Sequence, residues 1–311
     1  MFNILFLQDS AIFVVFREFI DTWDHAQLSA TSACIAHHTR PLFCATLHIN
    51  RQTNPKLLNI LSIRHVRALE LYNIGKNQQK MIQQVLQYIS KMMGANLSTI
   101  TIKGENTFLY FLTFTSTLLA NNIRSLTLNC MLGHFDHKSW LALQNLQYIK
   151  FPYFLGSRDL QLVCYNCPNI HNINMQHIQT RLTTVSIDAV SKLNFLHTIN
   201  LTGSICANNI LLQSLVNMQY LHSIYISNCK NISGACLTDL ALRSPCLRYI
   251  DAHNTFHNKE YALGITTGHV YCIAAACPRL QYLNIQGFCR EPLAQYAFCT
   301  FQDLRCIFIY T

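Results

Sequence analysis

The sequence predicts an α/β solenoid built from one strand and one helix per turn. Three observations carry that prediction. A short apolar pattern recurs along most of the chain at a nearly constant interval. Each copy alternates as a strand with one buried face does. The segments between copies carry apolar residues at helical spacing. A unit of this size cannot bury its own apolar flank, so successive units must stack into one continuous core.

The recurring pattern is apolar-x-x-apolar-x-apolar. It reads VRALEL from Val66, LSTITI from Leu97, IRSLTL from Ile123, LQYIKF from Leu146 and IHNINM from Ile170. It continues as LHTINL from Leu196, LHSIYI from Leu221, LRYIDA from Leu247, LQYLNI from Leu280 and LRCIFI from Leu304, with a weaker copy, CATLHI, from Cys44. From Cys44 to Leu304 the eleven copies span 260 residues in ten intervals, a mean period of 26. Leu237, Leu240 and Ala241, and again Val270, Ile273 and Ala274, mark the intervening helices by their spacing.

Composition agrees. The chain has 311 residues, 50% of them hydrophobic and 12% charged, which is apolar enough to offset the entropy of ordering and excludes a disordered chain. Ten glycines and seven prolines exclude collagen-like and low-complexity classes. No uninterrupted apolar stretch reaches the ~18 residues of a membrane span. The opening MFNILFLQDSAIFVVF is broken by Asp9 and Ser10, and it lacks the basic start and small-residue cleavage site of a secretory signal. The expected location is cytoplasmic or nuclear, not secreted, with no membrane partner.

Fourteen cysteines in a chain of this kind read as reduced, small, buried hydrophobes. Cys164 and Cys167 have CxxC spacing, but no second pair of comparable ligands follows, so no metal and no cofactor is expected. The net charge of +9 is unevenly spread: −3 over residues 1–39, +8 over 40–103 and +4 over the rest. The basic band, with Arg64, Arg67, Lys76 and Lys80, reads as a solvated surface, or as a contact for a phosphate backbone or an acidic partner.

The repeat resembles the leucine-rich-repeat family in its cysteine-containing subtype. The best match runs LHSIYISNCKNISGACLTDLA from Leu221 to Ala241, followed by SPCL at Ser244–Leu247. The Cys167-Pro168 and Cys277-Pro278 pairs each stand three residues before the next copy, where the family ends its helix. Met131, Ser204 and Thr255 stand where Cys229 predicts a cysteine, and intervals of 31 before Leu97 and 33 before Leu280 imply insertions. The resemblance implies a horseshoe over residues 41–311, with parallel strands on its concave face and helices outside. The last strand ends close to Thr311, so its edge, with Ile307 and Ile309, is expected to need a cover.

Residues 1–40 follow another rule. Ile12, Val15, Phe16, Phe19 and Ile20 have the spacing of an amphipathic helix, and Asp24 with Gln27 opens a second one that buries Leu28. Helices in a segment this short cannot form their own core. The stretch LQDSAIFVVFREF from Leu7 to Phe19, with DHAQLSATS from Asp24, resembles an F-box, although Gln8 replaces the usual proline and Ser10 the usual acid. That resemblance implies a Skp-type adaptor as partner, docked on Leu7, Ile12, Phe16, Phe19 and Leu28. The alternative is a helical cap on the solenoid.

Catalytic signatures are absent from the sequence. His37-His38, His134 with His137, and His253 with His257 are close pairs, but none joins a zincin motif, a nucleophile elbow or a phosphate-cradling loop. Interest therefore falls on the strand residues between the buried ones. One row reads Glu70, Thr101, Thr127, Lys150, Asn174, Asn200, Tyr225, Asp251, Asn284, Phe308; its neighbour adds Tyr148, Asn172, Thr198, Ser223, Tyr249 and Tyr282. Tyrosine and asparagine with few charges suit protein recognition, and one lysine against two acids does not suit nucleic acid. Tyr148, Lys150, Asn174, Asn200, Tyr225, Tyr249, Asp251 and Tyr282 are the expected target-binding residues. With the F-box resemblance, the expectation is a non-catalytic substrate-recognition subunit of a Skp–cullin–F-box-type ubiquitin ligase. The alternative is an interaction scaffold without ligase association.

Overall fold

The structure, a computed structural model, describes residues 46–49, 67–72, 97–104, 121–129, 140–141, 143–255, 264–287 and 301–308. The F-box-like segment, with Leu7, Ile12, Phe16, Phe19 and Leu28, lies outside the described residues, as do Met131, Arg64, Lys76 and Lys80.

Among the described residues, eleven strands form one parallel sheet in chain order. They are β1 (Thr46–Ile49), β2 (Ala68–Tyr72), β3 (Thr99–Lys103), β4 (Ser125–Asn129), β5 (Tyr148–Lys150) and β6 (Asn172–Asn174), followed by β7 (Thr198–Asn200), β8 (Ser223–Tyr225), β9 (Tyr249–Asp251), β10 (Tyr282–Asn284) and β11 (Cys306–Phe308). Among the described residues, five helices lie between the later strands: α1 (Ser157–Asn166), α2 (Thr184–Val190), α3 (Asn209–Ser214), α4 (Gly234–Arg243) and α5 (Thr267–Ala276). This is a leucine-rich-repeat solenoid, as the period implied.

Its spine is one aligned row. Leu69, Ile100, Leu126, Ile149, Ile173, Ile199, Ile224, Ile250 and Leu283 stand side by side in register, each exposed by at most 1%. Branched side chains pack well on a pleated surface, and here each one seals the flank of the turn before it. Ile307 ends the row half-buried on β11. Leu237, Leu240 and Ala241 of α4, and Val270, Ile273 and Ala274 of α5, are buried against this core.

Helix ends follow the sequence closely. Thr183, Asn208, Ser233 and Thr266 cap α2 to α5 by accepting from the backbone N–H three residues on. At the other end Cys167, Ser244 and Cys277 close α1, α4 and α5 with nearly one conformation, φ −119° to −122° and ψ 66° to 69°. Pro168, Pro245 and Pro278 follow them, and a residue before proline is driven out of the helical region. The thiols of Cys167 and Cys277 point back to carbonyls of the preceding turn, 3.7 Å from Trp140 O and 3.5 Å from Ala241 O. Cys167 is thus a packing residue, as its place before Pro168 implied. Ser244 Oγ, at the equivalent place, is buried with no hydrogen-bond partner.

The missing cysteines after the strands have a physical explanation. Cys229 Sγ donates to Leu201 O at 3.0 Å, and Thr255 Oγ1 to Ile226 O at 2.8 Å; Ser204 Oγ makes the same bond to Met175 O. All three acceptors are the residue just after the previous strand. Any small donor serves there, so serine and threonine substitute for cysteine without loss of the inter-turn bond. Three residues past each strand from β6 to β10 the chain turns left-handed, at His177, Gly203, Asn228, Asn254 and Gly287. Glycine and asparagine are the residues that tolerate this conformation best.

The nine described cysteines are free thiols. Burial pushes the Cys167, Cys206 and Cys277 thiols up to about 12, and those of Cys229 and Cys236 to about 11. At neutral pH they are inert core groups. No described helix is long and apolar enough to cross a membrane.

Candidate functional site

In every strand the residues beside the buried spine point to the opposite, open face of the sheet, because side chains alternate. The expected target-binding residues all lie on that face. Tyr148 and Lys150 are on β5, Asn174 on β6, Asn200 on β7, Tyr225 on β8, Tyr249 and Asp251 on β9, and Tyr282 on β10, all half-buried.

The fold brings only some of them together. Tyr249 and Tyr282 occupy adjacent places and stack, with centroids 4.0 Å apart and ring planes 3° from parallel. Tyr225 lies diagonally before them at 4.8 Å, and Phe308 diagonally after them at 5.7 Å. The result is an aromatic strip across four strands, ending in the exposed Phe308. Burial and a hydrogen bond with Tyr282 push the Tyr249 phenol well above its ordinary value; burial, then Asp251, raises that of Tyr225. Both phenols therefore stay protonated. Tyr148 and Lys150 lie three strands from Tyr225, about 14 Å away at the usual strand spacing.

The polar residues of the middle row have local duties. Asn174 Oδ1 accepts from the Gln176 N–H at 3.1 Å, Asn200 Oδ1 from Thr202 at 3.0 Å, and Asp251 Oδ1 from His253 at 3.4 Å. Each bond closes the turn after its strand. Asp251 Oδ1 also sits 2.7 Å from His253 Nδ1. These side chains offer a ligand only the hydrogen-bonding capacity left over.

At the front of the sheet the open face is closed upon itself. Lys103 Nζ lies 4.0 Å from Glu70 and 3.3 Å from the Tyr72 hydroxyl, and the Tyr72 hydroxyl donates to Glu70. Lys103 belongs to the basic band of the sequence, and here its charge is directed at Glu70. Arg67 of the same band is exposed.

One further row escaped the strand-by-strand reading. The residue one place before each strand, from β2 to β11, is linked to its neighbour by a backbone hydrogen bond of 2.7–2.9 Å, such as His197 N–H to His171 O at 2.7 Å and Arg248 N–H to His222 O at 2.8 Å. Four members are the exposed arginines Arg67, Arg124, Arg248 and Arg305. Three are histidines whose rings follow each other, His171 to His197 at 4.9 Å and His197 to His222 at 5.2 Å. Ser98, Gln147 and Gln281 complete the row, which contains no acid. The signal was present in the sequence: each of these residues is the second letter of its apolar-x-x-apolar-x-apolar copy. Phe195 and Tyr220, both about half exposed, flank the histidines, Phe195 edge-on to His171 and Tyr220 edge-on to His197.

An open groove of about 460 Å³ joins the two features, lined by His222, Arg248, Gln281 and Arg305 together with Tyr249 and Tyr282. Cations, neutral imidazole and stacked phenols in one groove suit recognition of a polar chain. Within the described residues no group of three His, Cys, Asp or Glu side chains is placed to hold a metal ion.

No protein-family model matches this chain, and no curated protein matches it. Among solved structures it is similar to a chain of the mouse RP105/MD-1 complex, at 14% identity and a TM-score of 0.44 over 85% of this chain and 50% of that one. It is also similar to a chain of the complex of Rad7 and Elc1 in yeast, at 14% identity and a TM-score of 0.46 over 95% of this chain and 90% of that one. The chain thus spans about half the length of its RP105/MD-1 counterpart. Both likenesses are distant, and the fold rests on its own ladder of strands.

Proposed function

We propose that this chain is the non-catalytic substrate-recognition subunit of a Skp–cullin–F-box-type ubiquitin ligase and holds its target protein on the open face of the solenoid. The observation that carries the binding role is the aromatic strip Tyr225–Tyr249–Tyr282–Phe308, in which rigid rings with polar ends stand half-exposed beside a groove. Aromatic anchors of this kind dominate binding energy at protein interfaces. The F-box resemblance of residues 7–32 supports the ligase half of the reading. The receptor makes and breaks no covalent bonds. Its contribution is proximity: a tethered target presents its lysines to a charged enzyme at a high effective concentration.

The test is co-expression of the full chain with a Skp-type adaptor. Retention of the adaptor is expected, with Phe16→Ala weakening it at least ~10-fold, as loss of a buried aromatic anchor does. A chain that does not retain the adaptor, and whose Phe16→Ala variant differs only in solubility, is an interaction scaffold with a helical cap.

A further inference from the structure

We propose that the row of residues leading into the strands is a cationic rail that seats an acidic segment of a partner polypeptide, with its anchor in the groove between His222 and Arg305. This deepens the reading of the open face as a protein-docking surface and rests on it.

Charge complementarity carries the assignment. Charged residues make up only 12% of the chain, yet this one row holds four arginines and no acid. No ion pair engages Arg124, Arg248 or Arg305 among the described residues, whereas Lys103 at the front of the face lies 4.0 Å from Glu70. Arg248 and Arg305 wall the same groove and stand two strands apart. At roughly 4.8 Å per strand that places them about 10 Å from each other, the reach of about three residues of extended chain at ~3.3 Å each. Guanidinium groups at that separation suit two carboxylates on one segment, each taken by paired N–H donors. Tyr249 and Tyr282 line the same groove and supply apolar contact for the chain between the two charges.

A peptide fits better than a nucleic-acid strand. Among the described residues that line the groove the fixed charges are those two arginines, since the imidazole of His222 is held below its ordinary value by burial and then by Arg248. A phosphate backbone wants continuous basic lining. The adjoining row carries Asp251 instead, one strand from Tyr282.

Fluorescence anisotropy of the full chain with labelled decaglutamate, decaglutamine and a ten-nucleotide oligothymidine tests the rail. Decaglutamate is expected to bind, decaglutamine to bind at least tenfold more weakly, and Arg248→Glu with Arg305→Glu to remove the difference. Arg248→Gln with Arg305→Gln provides the same reading should charge reversal impair folding. Decaglutamate binding that is unchanged in both variants, or equal for decaglutamine, overturns the rail. Oligothymidine binding tighter than decaglutamate overturns it in favour of a nucleic-acid track. Loss of adaptor retention with rail-dependent peptide binding intact removes the ligase reading alone. Adaptor retention with peptide binding that ignores the arginines removes the rail alone.

Discussion

Strands β2 to β4 and strands β8 to β11 bury the same row of aliphatic residues but present opposite open faces. In the front group the face carries Ala68, Thr99 and Ser125 beside the Glu70–Lys103–Tyr72 cluster, whose charges answer one another. In the rear group the equivalent places hold Ser223, Tyr249, Tyr282 and Cys306, and the adjoining row adds Tyr225 and Phe308, with Arg248 and Arg305 of the rail beside them. The spine is fixed by stacking and is indifferent to what lies on the other face. Function can therefore be concentrated at one end of a solenoid without disturbing its packing, because each turn contacts only its neighbours.

The most forceful way to break that comparison is to truncate the spine at both ends. Ile100→Ala on β3 and Ile224→Ala on β8 each remove a fully buried side chain, and each is expected to destabilise the chain by about 2–5 kcal/mol. Urea denaturation of the two variants is the measurement. A loss confined to one of them would mean that the two ends are not built on one packing principle.

A smaller effect sharpens the comparison within the rear group. Ser244 ends α4 where Cys167 and Cys277 end α1 and α5, and its hydroxyl is buried without a partner. Ser244→Cys replaces a group that is costly to desolvate with a thiol of the kind that packs at the two equivalent ends. A gain of about 1 kcal/mol is expected, read as a raised midpoint in thermal or chemical denaturation. Unchanged stability would show that the seal at this turn is set by the proline alone.

The smallest effect is in acid, and it separates the two ends. His197 is held below its ordinary value by burial, then by His171 and His222, and His222 is lowered by burial and by Arg248. Among the described residues no carboxylate opposes these lowering effects. The folded chain thus binds fewer protons than the unfolded chain just below neutrality, so stability is full above about pH 6.5 and declines as pH falls through that range. The corresponding places at the front are Arg67, Ser98 and Arg124, none of them a histidine. Hydrogen exchange at pH 7.5 and pH 5.5 is expected to loosen β6 to β8 before β2 to β4, and His197→Gln to reduce the difference. Uniform loosening would assign the acid response to other groups.

Much of this was legible in the residues. The period of the apolar pattern fixed the strands and their order, since alternation over each copy admits only one buried face. The proline after Cys167, Ser244 and Cys277 marked the helix ends. The equivalence of Ser204, Cys229 and Thr255 was harder to see, because the sequence shows three residue types and only the backbone shows that they donate to the same carbonyl. The candidate site divided in the same way. Tyr249 and Tyr282 could be placed in one row by counting, but Tyr148 could not be separated from them without knowing how far apart the strands stand.

The chain by itself determined which side chains are buried, because burial follows a periodicity that any reader can count. Only the tertiary structure decided which exposed ones act together. Tyr225 and Phe308 are 83 positions apart in sequence and belong to one aromatic strip. Arg248 and Arg305 share a groove though a whole turn separates them. Stacking turns side by side converts a sequence interval into a distance of a few ångströms, and that conversion depends on register across strands, which no local pattern contains.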